Sequence, residues 1–255
     1  MILTICNYKG GVAKTTTAYH LAAAASRRNV RPLLIDMDPQ SNLTRMCGGR
    51  LPGHPTIGDV LGGAHNPTVG IRQAKEYISF DNIGGGYLVP SDIGLENVAV
   101  GLTTRDFGRL TALQSAIERG AADCPLIIVD TPPNAGILTL NALVASTHVI
   151  ICADPEEDAI AGVRRIVSIV GQIQQERGQA PAVLGTLATR VDAVLGRHAD
   201  GLAMLQAPDM PALLGEIPKR AGRDAEKALA EAYAPVAGIV LAEAGLGVSD
   251  ARLAA

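Results

Sequence analysis

Lys9, Gly10, Gly11, Val12, Ala13, Lys14, Thr15 and Thr16 follow one another in an order that suits phosphate chemistry. Adjacent glycines let backbone N–H groups turn toward phosphate oxygens, and a helix beginning just after them adds the positive end of its dipole. Lys14 is then placed to reach β- and γ-phosphates, and the Thr15 hydroxyl to ligate Mg²⁺. The common consensus G-x-x-x-x-G-K-[ST] fails, because Tyr8 and Ala13 stand where it needs glycine. The pattern that fits is K-G-G-x-x-K-[ST]-[ST], which arises by chance with a probability on the order of 10⁻⁷ to 10⁻⁶ per window.

Two further segments supply carboxylates. Leu33-Leu34-Ile35-Asp36-Met37-Asp38 ends an apolar run in two acids, and Leu126-Ile127-Ile128-Val129-Asp130 ends another in one. An acid at the end of a buried strand is the arrangement that brings a carboxylate near a nucleotide's Mg²⁺. Other catalytic sets do not assemble: the five histidines show no H-E-x-x-H spacing, and there is no G-x-S-x-G elbow.

Such residues need strands that end together and a helix that starts at the loop. Apolar runs predict strands at 2–6, 32–36, 87–90, 126–130, 148–152, 183–187 and 213–217. Helical spacing predicts helices over 14–28, 106–119, 158–177, 222–233 and 236–243, with a short helical turn at 56–61. Gly84-Gly85-Gly86 reads as punctuation, and 48–67, rich in Gly and Pro, as an irregular excursion. The alternation implies one α/β domain spanning 1–255, with a mostly parallel sheet covered by helices on both faces and ligands bound at the strands' C-terminal edge.

Composition narrows the classes. Hydrophobic residues make up 47% of the 255, which excludes disorder along the whole chain. Aromatics are 3% with no Trp, which argues against a reader that stacks single-stranded bases. The net charge of −3 means that DNA binding would need a local basic patch. The four cysteines have no C-x-x-C spacing and read as buried, reduced thiols. The chain begins directly on a strand pattern, so no secretory leader is expected. Its most apolar stretch, 136–153, is interrupted by Asn141, Ser146, Thr147 and His148, short of the ~20 residues of a membrane span. A cytoplasmic, nucleoid-associated protein is the expectation.

In this order the three motifs resemble the ParA/Soj branch of the deviant Walker A P-loop NTPases, which also includes MinD. Val89-Pro90-Ser91-Asp92, Asn141-Ala142-Leu143, Asp154-Pro155-Glu156 with Gly162, and Glu216-Ile217-Pro218-Lys219-Arg220 extend the likeness over about residues 1–235. The resemblance implies ATP and Mg²⁺ as cofactors, with Lys9 to Thr16 and Pro218 as nucleotide-binding residues. Lys9 would be the signature lysine that reaches a partner's nucleotide across a homodimer, Lys14 the lysine acting in cis, and Thr16 the α-phosphate contact. Asp38 would position the attacking water, while Thr15, Asp36 and Asp130 serve Mg²⁺ and its waters. Ala13 replaces the family's usual glycine, which is tolerable if the backbone there needs no positive φ.

The same resemblance implies a DNA-segregation or cargo-positioning ATPase whose ATP-bound sandwich dimer holds nonspecific duplex DNA and is stimulated by a ParB-like adaptor. Lys219, Arg220, Arg223 and Lys227 form the candidate DNA patch, with Arg190 and Arg197 as additions. Three other readings are a MinD-like membrane ATPase, a non-hydrolysing ATP-dependent dimerisation switch and an iron–sulfur protein sharing the loop. Residues 236–255 hold a single cation, Arg252, a poor basis for a lipid-binding helix. Cys124 and Cys152 lie away from the loops that would present thiolates to a cluster.

Overall fold

Strands that are apolar at every position can be stable only with both faces covered. The computed structural model, which describes residues 1–62, 70–80, 84–192, 194–219 and 225–246, arranges them that way. The strands are β1 (Ile2–Cys6), β2 (Leu33–Asp36), β3 (Glu76–Ser79), β4 (Gly85–Val89), β5 (Ile127–Asp130), β6 (His148–Ala153), β7 (Ala182–Val191) and β8 (Leu213–Pro218). The helices are α1 (Lys14–Arg27), α2 (Asn42–Met46), α3 (Ile57–Gly62), α4 (Ile71–Ala74), α5 (Leu95–Thr103), α6 (Ala112–Gly120), α7 (Ile137–Ala145), α8 (Glu157–Arg177), α9 (Gly196–Leu205) and α10 (Ala225–Glu243).

One sheet results, in the order β3-β4-β2-β5-β1-β6-β7-β8. Every pairing is parallel except β3 with β4. Side chains alternate between two cores. Leu33, Ile35, Ile127 and Val129 pack with Leu95, Leu113 and Leu138 on one face. Leu34 and Ile128 pack with Leu21, Ile160 and Val240 on the other. The expected mostly parallel, doubly covered α/β architecture is what forms. β1 lies between β5 and β6, so the phosphate loop leaves the middle of the sheet and the ends of β2 and β5 stand beside it.

Several elements depart from the sequence expectations. Gly108 takes φ 70° and ends any helix from 106, so α6 starts only at Ala112. The two expected C-terminal helices are one, because α10 continues through Pro235. Burial of Tyr233, Val236, Ala237, Val240 and Leu241 on one face outweighs the hydrogen bond that proline forfeits. Gly85 and Gly86 belong to β4, where a Cβ on Gly85 would strike the Tyr77 ring. α3 matches the short helical turn expected at 56–61, and residues 63–69 of the expected irregular excursion lie outside the described residues. Cys6 and Cys152 are buried as expected, whereas Cys47 and Cys124 are half-buried.

Two-sided burial has a measurable consequence. Leu33→Ala and Leu34→Ala face opposite cores, and each should cost about 2–5 kcal/mol in urea unfolding. A sheet with one wet face would lose stability from only one of them.

Candidate nucleotide site

The loop between β1 and α1 opens onto a cavity of about 580 Å³. Gly10, Gly11, Ala13, Lys14, Thr15 and Thr16 line one side of it. No side chain caps the N-terminus of α1, so its first N–H groups are free to meet an anion. Val12 is fully buried, and its carbonyl accepts a hydrogen bond from the Thr189 hydroxyl at 3.0 Å. Its contribution to the cradle is therefore made by backbone.

Ala13 overturns the expectation placed on it. It sits at φ 57° and ψ 30°, in the left-handed region the loop requires. A Cβ in that region costs roughly 1–2 kcal/mol. The surrounding contacts hold the residue there: its carbonyl accepts the Thr17 N–H at 2.9 Å, and Thr189 anchors the residue before it.

Lys14 is 7% exposed, and its Nζ donates to the Lys9 carbonyl at 3.2 Å. Burial lowers its pKa, against the opposing pull of Asp130 and other anionic neighbours. The Thr15 hydroxyl donates to Asp130 Oδ2 at 2.7 Å. Asp130 is fully buried, and its Oδ1 has no hydrogen-bond partner among the described residues. Burial, with Asp36 beside it in register, pushes the Asp130 carboxyl up. A buried carboxylate oxygen without a donor, next to a threonine hydroxyl, fits a divalent cation and its waters.

The two acids after β2 divide their work. Asp38 is 6% exposed and reaches the cavity wall. Its Oδ1 accepts the Gln40 N–H at 2.9 Å. Asp36 stands behind it, away from the wall. Its Oδ2 accepts both the N–H and the hydroxyl of Thr44, at 2.9 and 2.7 Å, and its Oδ1 accepts the Asp38 N–H at 3.1 Å. Desolvation raises the Asp36 pKa, partly offset by those donors. Asp36 therefore shapes the loop that carries Asp38.

The far end of the cavity is lined by Ile217, Pro218, Lys219, Leu229 and Tyr233. Pro218, a nucleotide-binding candidate from the sequence, is thus a lining residue of this cavity. Tyr233 was missed: its hydroxyl is 2.9 Å from that of Thr17, which ties α10 to α1. Lys219 lines this cavity, whereas Lys227 lines a separate groove beside His20 and Phe80. Arg220 and Arg223 lie outside the described residues. Arg190 donates to the Gly11 carbonyl at 2.7 Å and Arg197 faces Glu156 at 3.5 Å, so both are engaged around the loop.

Asn7 is the other residue that the sequence did not announce. Only its place at the end of a strand, just ahead of the glycines, could have signalled it. Its Nδ2 donates to the carbonyls of Cys152 at 2.6 Å and Ala159 at 3.2 Å, and its Oδ1 accepts the Lys9 N–H at 3.2 Å. Gly162 leaves room for this amide, since a Cβ there would strike Asn7 Oδ1.

Two substitutions test this geometry by urea unfolding. Ala13→Gly should raise stability by about 1 kcal/mol, because glycine accepts left-handed φ freely. Gly162→Ala should lower it by about 1–3 kcal/mol, as it displaces Asn7 from its buried partners.

Residues 1–181 match a family described as an AAA domain. A ParA family protein of Chlamydia muridarum is 36% identical over 173 residues, 66% of this chain and 64% of that protein. The chain thus spans somewhat under two thirds of that relative's length. The chromosome-partitioning ATPase Soj of Thermus thermophilus is 33% identical over 193 residues, 74% of this chain and 69% of Soj. Among solved structures, cobyrinic acid a,c-diamide synthase of Mycobacterium smegmatis with bound ADP and magnesium superposes with a TM-score of 0.79 at 31% identity. That match covers 94% of this chain and 93% of the synthase. With the loop, its carboxylates and the sheet order in place, the chain belongs to the ParA/Soj family of partition ATPases.

Proposed function

We propose that the whole chain works as one DNA-segregation or cargo-positioning ATPase unit that hydrolyses ATP to ADP and phosphate. The observation that carries the nucleotide reading is the Thr15–Asp130 contact at 2.7 Å beside the uncapped start of α1, with Asp130 Oδ1 buried and lacking a donor. That the Mycobacterium synthase holds ADP and magnesium on the same fold supports it. Backbone N–H groups of Gly10 to Thr16 would cradle the phosphates, with Thr16 nearest the α-phosphate. Lys14 would neutralise the β- and γ-oxygens from its buried seat. Thr15 and Asp130 would hold Mg²⁺, which supplies charge neutralisation at the phosphates, and Asp36 would steady the loop behind them. Asp38, at the cavity wall, would orient the attacking water and accept its hydrogen bond. Pro218, with Ile217 and Tyr233, would face the base.

The larger reading follows the family. ATP would close a sandwich homodimer in which Lys9 reaches the partner's nucleotide. The dimer would hold nonspecific duplex DNA and respond to a ParB-like adaptor. Support for the DNA surface is confined to exposed Lys219 and Lys227 among the described residues, together with the sequence positions of Arg220 and Arg223. No helix among the described residues is long and apolar enough to cross a membrane.

The decisive measurement is retention on nonspecific duplex DNA with ATP·Mg²⁺, ADP·Mg²⁺ or no nucleotide. ATP-dependent retention that falls steeply with salt is expected. Absence of retention in every state would remove the DNA assignment and leave a dimerisation switch or a membrane-positioned relative. Lys14→Ala should abolish nucleotide binding in equilibrium dialysis. Asp38→Ala should bind ATP normally yet lose turnover by about 10²-fold or more, and normal turnover would refute its role.

A further inference from the structure

Lys9 belongs to the phosphate loop but does not line its cavity. Its Nζ lies 2.8 Å from Glu156 Oε2 and 3.2 and 3.3 Å from the two carboxylate oxygens of Asp154. Both acids come from the connection between β6 and α8 of the same chain. The ammonium is therefore held in cis by two carboxylates.

The seat is built. Asn7 fixes the Lys9 backbone to β6 and α8 through its hydrogen bonds to Lys9, Cys152 and Ala159. The Glu156 N–H donates to the Asp154 carbonyl at 2.7 Å, which folds the two acids toward one another. Behind them Pro155 is buried and pressed against Gly201 of α9, where a Cβ would strike the Pro155 carbonyl. Partial burial works against the Lys9 ammonium, but the bonds to Glu156 and Asp154 prevail and raise its pKa.

The two acids are not equivalent. Glu156 has a second cation on its other oxygen, Arg197 at 3.5 Å, so it stays compensated when Lys9 leaves. Asp154, with a side chain 13% exposed, has Lys9 as its sole side-chain partner among the described residues. Releasing Lys9 therefore strands Asp154 more than Glu156.

We infer that Asp154 and Glu156 are positioning residues that park Lys9 within its own chain, so that pairing of two chains must exchange this clasp for phosphate oxygens of the partner's nucleotide. The inference rests on the proposed role of Lys9 across the dimer and says what opposes that role before pairing. Two carboxylates set the strength of the competitor. A triphosphate offers more negative charge than a diphosphate, so the clasp is a threshold that ATP passes and ADP does not. ATP selectivity of pairing then resides partly in residues that never touch the bound nucleotide of their own chain.

Sedimentation velocity of the full chain with AMPPNP·Mg²⁺ or ADP·Mg²⁺ tests this. Asp154→Asn combined with Glu156→Gln should lower the protein concentration needed for pairing about fivefold with AMPPNP and make pairing detectable with ADP. Asp154→Asn alone should have the larger share of that effect. Asp154→Glu with Glu156→Asp should return the threshold toward that of the parent chain. Affinity of the monomer for nucleotide should stay within about twofold throughout, which a general loosening of the fold would not allow. An unchanged or raised threshold in the double variant, with pairing abolished by Lys9→Ala, overturns the clasp and leaves the proposed function standing. Pairing of Lys9→Ala equal to the parent chain removes the role of Lys9 itself, and the clasp with it. Acetylation of the parent chain by a limiting amine reagent, read by peptide mass spectrometry, gives a test without variants. Lys9 should react several-fold more slowly than exposed Lys227, and equal rates overturn the proposal.

Discussion

A single buried amide, that of Asn7, joins the pieces on which the site is built. It lies where β1 gives way to the glycine loop and bonds at once to the loop, to β6 and to the first turn of α8. A buried amide deprived of partners costs about 1–3 kcal/mol, so the loop, β6 and α8 are held to one mutual arrangement. The loop's height above the sheet, the path of the connection carrying Asp154 and Glu156, and the close approach of α8 at Gly162 all follow. Further along, Thr189 and Arg190 hold the carbonyls of Val12 and Gly11, so the amide anchors the start of the loop and these two the rest.

Charge is the other constraint. Asp36 and Asp130 end neighbouring strands in register, and both are excluded from water. The fold manages the pair unequally. Among the described residues, the carboxylate of Asp36 receives three donors from Asp38 and Thr44, whereas that of Asp130 receives only the Thr15 hydroxyl. One acid is thereby turned into a structural brace, and the other is kept in need of a cation. Lys14 stands near enough to supply part of that positive charge and is itself destabilised by burial. The edge of the sheet is a place where ionic groups are assembled before their ligand arrives, at the expense of local stability.

Strands whose every position is apolar were legible because burial on two faces leaves no other composition possible. The helices that carry a long stripe, such as α8, were legible for the matching reason. The short elements α2 and β3 were not. α2 holds its place through Thr44 and Asp36, eight residues apart, and a local pattern cannot display that bond. β3 is an edge strand added antiparallel to β4, and its pairing depends on Tyr77 packing over Gly85. In the site, residue types and order sufficed to anticipate that Lys14, Thr15 and Asp130 stand close together. They did not reveal that Lys9 would turn toward Asp154 and Glu156, or that Asp36 would be fully occupied, because both facts depend on which strands lie adjacent.

Ala13 adds a consequence of its own. A methyl group narrows the left-handed well that glycine would explore broadly. The loop therefore surrenders its freedom when the chain folds, and little is left to surrender when an anion arrives. Binding to a cradle already frozen proceeds with a smaller entropic opposition than binding to a mobile one. A residue that weakens the folded state can in this way sharpen the encounter with its ligand, and the strain at this position becomes a form of stiffness.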